Sequence, residues 1–173
     1  LNVPWFKCVP GNPEGIDAHD LAKHVAKTGG IKGYPKAKPI SDAEFFGTKA
    51  DVFIPAALEC TINVETEKHI KAKYVIEGAN GPTTLEAEKR MRDRGITVIP
   101  DILANSGGVT VSYFEWVQNK ISEVWDLEQV DRELKKMMVR STEHVLDAMK
   151  QRNLDPRTAA LTVALSRIEA AHK

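Results

Sequence analysis

The segment that decides the fold runs from Ile99 to Trp116 and reads IPDILANSGGVTVSYFEW. It opens as an apolar run typical of a buried strand, breaks at a Gly-Gly pair, and continues with hydroxyl and aromatic side chains. Two glycines directly after a strand let the backbone approach a ligand closely, because neither carries a Cβ. Asn105 and Ser112 both donate and accept hydrogen bonds, which suits an amide or a carboxylate. The segment therefore predicts a ligand site at the carboxyl end of a strand in an open α/β sheet, with an ordinary strand-to-helix turn as the alternative.

Short apolar runs alternate with helical patterns on the amino-terminal side of this segment. Residues 52–57, 74–78 and 97–102 have the pattern of buried strands. Strands that alternate with helices indicate βαβ units and hence a parallel sheet. We therefore expect at least three parallel strands there, with Asn80 and Asn105 at their carboxyl ends.

Capping residues mark the helix starts. A side-chain oxygen at the N-cap accepts a hydrogen bond from a free backbone N–H of the first turn, so Ser, Thr and Asp are favoured there. Thr83 with Glu86 has the capping-box pattern of a helix that runs to Arg94. Beyond Trp116 the pattern is helical only. Further helices are predicted over residues 17–27, after Ser41, after Asp126, and after Asp155, where Pro156 takes the first helical position.

The composition is that of a globular protein without a preference for polyanions. Of the 173 residues, 42% are hydrophobic and 28% charged, and Lys+Arg equals Asp+Glu at 24 each. This balance gives no reason for attraction to nucleic acid or to an anionic membrane, and no apolar run approaches the ~20 residues of a membrane span. Two cysteines without a CxxC pair favour a reducing compartment, with the cytoplasm first and the mitochondrion as the alternative. The five histidines show no metal-ligand pattern, so we expect no metal.

Several separated motifs resemble one enzyme family. Residues 105–119 resemble the signature of the glutamate dehydrogenases, which are related to the leucine, valine and phenylalanine dehydrogenases. Further motifs occur in the family's order and approximate spacing: NPEGID at residues 12–17, IPAAL at 54–58, IEGANGPT at 76–83 and RTAA at 157–160. The chain is therefore similar to the nicotinamide-nucleotide domain of that family.

The resemblance implies an α/β fold with a Rossmann-like parallel sheet followed by carboxy-terminal helices. Domains of this kind start with a strand and a GxGxxG turn, and an acidic residue about 20 positions later binds the ribose. The chain has no such glycine pattern, and residues 1–10, where the ribose acid is expected, contain no carboxylate. We therefore expect an incomplete sheet, truncated at its amino-terminal side, with residues 1–120 as a partial dinucleotide-binding domain. Residues 121–173 are expected to be a helical segment that packs on it or on a substrate domain.

The resemblance also assigns cofactor-binding roles to particular residues. Ala56 and Ala57 would end a strand beneath the cofactor, where small side chains leave room for adenosine and ribose. Asn80 would hydrogen-bond near the nicotinamide ribose, and Asn105 would bond the nicotinamide carboxamide. The alternatives need no ligand. Ala56 and Ala57 would then only form a tight turn after the strand, Asn80 would belong to a plain Asn-Gly turn, and Asn105 would be a loop residue bonded to its own backbone. The implied cofactor is NAD or NADP, and the choice between them stays open.

Val109 and Ser112 bear on the substrate. In the family, the matching positions line the distal end of the substrate pocket. There the serine hydroxyl binds the side-chain carboxylate of glutamate, and the valine packs against its methylenes. The i, i+3 spacing puts both side chains on one face if the segment is helical. By propensity, however, residues 109–114 favour a strand, which would put the two side chains on opposite faces.

The activity implied by the resemblance is reversible oxidative deamination of L-glutamate to 2-oxoglutarate and ammonia, with hydride passing to NAD or NADP. We expect no catalytic residue in residues 1–173, because the lysines and the aspartate of the family's amino-terminal domain match none of them. The isolated chain should therefore be inactive. The implied partners are a small-molecule substrate and further copies in a homo-oligomer, with no nucleic acid and no membrane. The alternatives are a dehydrogenase of the leucine, phenylalanine or valine type and a non-catalytic structural module.

Overall fold

The computed structural model describes residues 9–172. The described part of the chain divides into two compact units. The first consists of residues 9–49 and Thr66–Lys71, and the second of Ala50–Glu65 and residues 72–172. The predicted position of the ribose acid, within residues 1–10, lies outside the described residues except for positions 9 and 10. No helix within this range is long and apolar enough to cross a membrane. In the same range, no group of three or more His, Cys, Asp and Glu side chains could hold a metal ion.

The first unit contains a two-stranded antiparallel ribbon and the first predicted helix. Strand β1 (Val9–Gly11) pairs with β2 (Lys38–Ile40). Helix α1 (Ala18–Thr28) begins at Asp17, whose side chain caps the first turn, and ends at Gly29, whose φ of 78° few other residues adopt. The helix predicted from residue 17 is therefore confirmed.

A second, shorter helix in this unit also begins where the sequence predicts. Helix α2 (Asp42–Phe46) has a complete capping box, because the Ser41 side chain accepts from the backbone of Glu44 and the Glu44 carboxylate accepts from the backbone of Ser41. The bonds that the Glu44 carboxylate accepts from the backbone N–H and from the hydroxyl of Ser41 lower its pKa. A 3-10 helix over Glu67–His69 packs against α2.

The second unit is built on a three-stranded parallel sheet. Its strands are β3 (Val52–Phe53), β4 (Tyr74–Ile76) and β5 (Thr97–Ile99), in the order β3-β4-β5. Both neighbouring pairs are parallel. Val75 in the middle strand is completely buried, as expected for a sheet covered on both faces. The predicted parallel strands are confirmed.

These strands are shorter than predicted, because prolines follow two of them. Pro55 and Pro100 have no backbone N–H to donate to a neighbouring strand. The predicted extension of the third strand from Ile99 to residue 102 is wrong. Pro100 is instead the N-cap of a short helix, α4 (Asp101–Ala104).

Helix α3 (Leu85–Asp93) begins one residue later than predicted. Thr84 is its N-cap and accepts from a backbone N–H of the first turn. Thr83 forms an isolated parallel bridge with Ile62, and its buried hydroxyl has no partner among the described residues. The predicted capping box of Thr83 with Glu86 is therefore wrong, whereas the helix itself is confirmed.

The remainder of the second unit is helical, as predicted. Helix α5 (Ser106–Ile121) is followed by α6 (Leu127–Arg152) and α7 (Pro156–Ala171). The side chains of Asp126 and Asp155 cap α6 and α7, accepting backbone hydrogen bonds of 2.7 and 3.1 Å. Both predicted helix starts are confirmed.

The core of this helical part lies where α7 packs against α6 and β5. Leu103, Val145, Ala159 and Ala160 are buried together, and Ile99 packs against them. Two adjacent alanines let the backbone of α7 come close to the sheet, because they add only methyl groups. The α/β fold class is confirmed: a small, incomplete parallel sheet is followed by carboxy-terminal helices.

Candidate functional site

An open cavity lies at the carboxyl ends of the parallel strands, where ligands bind in open α/β sheets. Its volume is about 670 Å³. Five of the six predicted site residues line it, namely Ala56, Ala57, Asn80, Asn105 and Val109, together with Leu58, Glu59, Gly78 and Ala79. Ser112 is not among the lining residues.

Asn80 and Asn105 are in direct contact at this cavity. The Asn105 Nδ2 donates to Asn80 Oδ1 at 2.7 Å and to the backbone oxygen of Gly78 at 3.3 Å. Neither Asn80 Nδ2 nor Asn105 Oδ1 has a hydrogen-bond partner among residues 9–172. The pair therefore offers a ligand one donor and one acceptor in a fixed relative orientation.

Small residues let two backbone segments approach each other beside the asparagines. The backbone oxygen of Pro55 accepts from the N–H groups of Gly78 and Ala79 at 3.1 and 2.9 Å. A Cβ on Gly78 would lie 3.2 Å from the Cβ of Ala56, closer than most real Cβ contacts. Gly78 therefore allows the approach, and Ala56, which is exposed, adds little bulk to the cavity.

A buried ion-pair network lies behind the cavity wall. The Arg157 guanidinium donates through Nη2 to Glu77 at 2.7 Å, through Nε to Glu88 at 2.6 Å, and through Nη1 to Asp101 at 3.2 Å. Glu77 is completely buried, and only 5% of Glu88 is exposed. Buried carboxylates need a cation this close, because an unpaired buried charge is strongly destabilising.

Contacts within this network shift the pKa values of Arg157 and Asp101. Burial lowers the pKa of the Arg157 guanidinium, but its hydrogen bonds to Glu88 and Glu77 outweigh burial and raise that pKa. Burial raises the pKa of the Asp101 carboxyl. The bonds that Asp101 accepts from the backbone N–H groups of Gly81 and Ile102, with Arg157 nearby, hold that pKa below its usual value. Both Arg157 and Asp101 are therefore charged at neutral pH.

The Gly-Gly pair of the opening segment has a different place from the one predicted. Gly107 and Gly108 lie in the first turn of α5, not in a loop after a strand. A Cβ on Gly107 would face Leu134 and Met138 of α6 at 3.8 and 3.9 Å, and a Cβ on Gly108 would meet nothing. These glycines thus bring no backbone to the cavity. Asn105, at the junction of α4 and α5, and Val109, in α5, are the residues of this segment that line the cavity.

Val109 and Ser112 both lie on α5, so the strand favoured by propensity for residues 109–114 is wrong. Their i, i+3 spacing places them on one helical face. Val109 is 69% exposed and lines the cavity. Ser112 is exposed, and its hydroxyl donates to the backbone oxygen of Gly108 at 3.3 Å. The structure therefore brings Val109, but not Ser112, into contact with the asparagine cavity.

Comparison with known proteins accounts for nearly the whole chain. Residues 8–173 match the family model described as Glutamate/Leucine/Phenylalanine/Valine dehydrogenase. The chain belongs to this family. Among curated members, the glutamate dehydrogenase of Thermotoga maritima is 48% identical over 162 residues, which are 94% of this chain and 39% of that protein. Glutamate dehydrogenase A2 of Halobacterium salinarum is 43% identical over 164 residues, again 94% and 39%.

Solved structures of family members share this fold. The hetero-hexameric glutamate dehydrogenase of Thermus thermophilus, in a Leu-bound form, has a TM-score of 0.84 and 31% identity and covers 92% of this chain and 38% of its own. That of Peptoniphilus asaccharolyticus has a TM-score of 0.76 and 36% identity, covering 92% and 35%. The chain thus spans about two fifths of the length of the relatives it matches. The predicted family resemblance is confirmed, and the family is one of oxidoreductases.

No role was predicted from the sequence for Glu77, Asp101 or Arg157. Glu77 and Arg157 lie in the motifs IEGANGPT and RTAA, and Asp101 lies in the segment from Ile99 to Trp116. A signal was present, because Glu77 directly follows the buried strand β4. A carboxylate at such a position is almost never buried without a partner. The sequence does not reveal that the partner is Arg157, 80 residues away.

Proposed function

We propose that the chain supplies the nicotinamide-nucleotide-binding part of an NAD(P)-dependent glutamate dehydrogenase. The reaction is the conversion of L-glutamate, NAD(P)⁺ and water to 2-oxoglutarate, ammonia and NAD(P)H. The observation that carries the proposal is the donor of Asn80 and the acceptor of Asn105, which lie at the strand ends without partners among residues 9–172. The curated relatives named above are glutamate dehydrogenases, which supports the substrate class.

The chemistry of the cavity is compatible with a dinucleotide. Its volume of about 670 Å³ is within the range of small-molecule pockets. Ala56 and Ala57 would lie beneath adenosine and ribose, Asn80 would donate through Nδ2 near the nicotinamide ribose, and Asn105 would accept from the carboxamide through Oδ1. The nicotinamide ring, when bound, supplies the hydride acceptor.

The contribution of the chain itself is orientation. Turning the Asn105 amide would break its bonds to both Asn80 and Gly78. Its acceptor is therefore held in place before a ligand binds, so little order has to be gained on binding. A carboxamide held by Asn105 would present one defined face of its ring to the substrate.

Val109 and Ser112 would select the substrate. Both lie on one face of α5, which is the condition for a shared pocket. The Ser112 hydroxyl, weakly bonded to Gly108, would turn to the distal carboxylate of glutamate while Val109 packs against the methylenes. A dehydrogenase of apolar amino acids gains nothing from a hydroxyl there, because an unpaired buried polar group costs about 1–3 kcal/mol.

Dinucleotide binding by asparagine variants tests the proposal. In the protein as its gene encodes it, NADH and NADPH are titrated and the dissociation constant is read from nicotinamide fluorescence. Asn105→Ala and Asn80→Ala should each raise the dissociation constant about tenfold, which is one lost hydrogen bond. The control is Arg92→Gln, at a partly exposed ion pair with Asp155 away from this cavity. Unchanged affinity in both asparagine variants would contradict the proposal, and the cofactor bound more tightly by the wild type decides between NAD and NADP.

We further propose that the protein forms a homo-oligomer in a reducing compartment such as the cytoplasm. Support comes from the Thermus thermophilus relative, which is described as hetero-hexameric and is thus an assembly of several subunits. It also comes from Cys60, which is exposed and forms no disulfide within residues 9–172. Light scattering of the protein as encoded should give the mass of several copies. A monomer at micromolar concentration would contradict the assembly.

A further inference from the structure

One guanidinium connects the backbone segments that carry the two asparagines. Arg157 lies in the first turn of α7, and its side chain is 19% exposed. It does not line the asparagine cavity, so no direct contact with a ligand there is expected. Its three hydrogen bonds end on three different segments: Glu77 after β4, Glu88 in α3, and Asp101 at the start of α4.

The first connection runs through Glu77. Its Oε2 accepts from Arg157 at 2.7 Å and from the backbone N–H of Asp101 at 2.8 Å, whereas its buried Oε1 has no partner among the described residues. The placement of this carboxylate therefore depends on Oε2 alone. The next residue, Gly78, is the one whose backbone oxygen accepts from Asn105.

The second connection runs through Asp101. Its Oδ1 accepts from Arg157 at 3.2 Å, and its Oδ2 accepts from the backbone N–H of Gly81 at 2.8 Å. Gly81 directly follows Asn80. The backbone oxygen of Asp101 also accepts from the N–H of Asn105 at 3.0 Å. Asp101 thus bonds the backbone segments of both asparagines, at Gly81 beside Asn80 and at Asn105 itself.

We propose that Arg157 is a positioning residue that holds Asn80 and Asn105 in the orientation a dinucleotide needs. The inference rests on the function proposed above. Arginine is suited to this place because its planar fork carries five donors in fixed directions and so bonds three carboxylates at once. Lysine would keep the charge but not the fixed directions, so its compact ammonium would leave one of the three contacts loose.

The experiment is the substitution Arg157→Lys in the protein as its gene encodes it. We expect the dissociation constant for the nicotinamide dinucleotide to rise about tenfold, in the range typical of coupled neighbouring residues. The KM for the dinucleotide should rise with it, while kcat changes less. Hydrogen exchange followed by mass spectrometry should become faster in a peptide covering residues 78–84, because the N–H of Gly81 loses a firmly held acceptor.

A control for plain loss of stability is Met91→Ala. Met91 is completely buried in α3 and has no bond to the network, so its truncation leaves a core cavity. It should lower the melting temperature at least as much as Arg157→Lys does. It should leave the dissociation constant within twofold and exchange in peptide 78–84 unchanged. If Met91→Ala weakens binding as much as Arg157→Lys, the positioning role is overturned.

The Asn80→Ala variant separates the two proposals. If Arg157 acts through the asparagines, the double variant Asn80→Ala with Arg157→Lys binds about as weakly as the weaker single variant, because the two effects are not additive. If the increases in the dissociation constant of the two single variants multiply fully in the double variant, the positioning role is overturned. If Asn80→Ala weakens binding and Arg157→Lys does not, the positioning role is also overturned, but the proposed cofactor site is retained. Unchanged binding in both single variants overturns the cofactor site itself.

Discussion

Two cavities of the second unit lie at opposite ends of the sheet. They differ in whether their polar side chains already have hydrogen-bond or ion-pair partners. The smaller one, about 240 Å³, lies at the amino end of β5 beside the start of α7. Its charged side chains are already paired: Arg92 lies 3.7 Å from Asp155, and Glu88 bonds Arg157 at 2.6 Å. The larger one, at the carboxyl ends, keeps a donor on Asn80 and an acceptor on Asn105 without partners among the described residues.

The difference separates the proposed ligand site from a packing gap. Both cavities are lined by polar residues, so polarity alone does not distinguish them. What distinguishes the carboxyl-end cavity is hydrogen-bonding capacity that residues 9–172 leave unused and that a buried network holds in place. Variants at the two ends test this contrast.

The largest expected effect concerns the ion-pair network of Arg157, which reaches from Glu88 at the amino-end cavity to Glu77 and Asp101 behind the carboxyl-end cavity. Arg157→Ala should lower the free energy of unfolding by about 3–5 kcal/mol, because it leaves the buried carboxylates of Glu77 and Glu88 without their cation. Urea denaturation followed by circular dichroism measures this as a lower midpoint. Arg92→Ala, which removes a half-exposed partner, should cost at most about 1 kcal/mol. Equal losses in the two variants would contradict the account of the network.

The next effect concerns substrate choice at the carboxyl end. Ser112→Ala should lower kcat/KM for glutamate by roughly ten- to a hundredfold, because a hydrogen bond to a charged group contributes about 1.5–3 kcal/mol. Norvaline, which has no distal carboxylate, should lose little or gain. Steady-state kinetics on the protein as encoded measures both substrates. An equal loss for both would show that Ser112 supports the structure only, and the apolar-substrate alternative would then be favoured.

The smallest effect is a difference in pH dependence. The folded-state pKa of Asp101 is lowered, so its contribution to stability is fully present above its unfolded pKa of about 3.9 and is lost as the pH falls through the folded value. Asp101→Asn should therefore flatten the acid side of the stability profile between about pH 5 and 3.

Asp155 provides the matched control at the amino-end cavity. Burial raises its pKa, but hydrogen bonds from Thr158 and the nearby Arg92 outweigh burial and lower it, so Asp155→Asn should flatten the acid limb as well. Asparagine also caps helices, which preserves the start of α7. Only Asp101→Asn should weaken dinucleotide binding. Weaker binding in both variants would show that the two ends are not functionally distinct.

The sequence was informative where local chemistry decides the structure. Asn105 could be predicted as a site residue because it directly follows an apolar run and precedes the Gly-Gly pair. Asp155 could be predicted as an N-cap because an acidic residue before a proline is typical of a helix start. The helical state of residues 109–114 could not be found from propensity, because the buried packing of Phe114 against Trp125 outweighs the preference of β-branched residues for strands.

Long-range pairing was the other part that the sequence did not show. Arg157 and Glu88 are 69 positions apart, and nothing local to either residue identifies the other. Their contact exists because two adjacent alanines let α7 pack closely on the sheet. Similarly, the strand predicted through residue 102 ends early because Pro100, although visible in the sequence, starts a new helix.

A crystal structure with a nicotinamide dinucleotide tests the central claim most directly. The protein as encoded would be crystallised with NADH or NADPH at saturating concentration. We predict density for the nicotinamide carboxamide within hydrogen-bond distance of Asn105 Oδ1, with a ribose near Asn80 and the adenosine side above Ala56 and Ala57. A dinucleotide bound at the amino-end cavity, or one that leaves the Asn80–Asn105 pair untouched, would contradict the account.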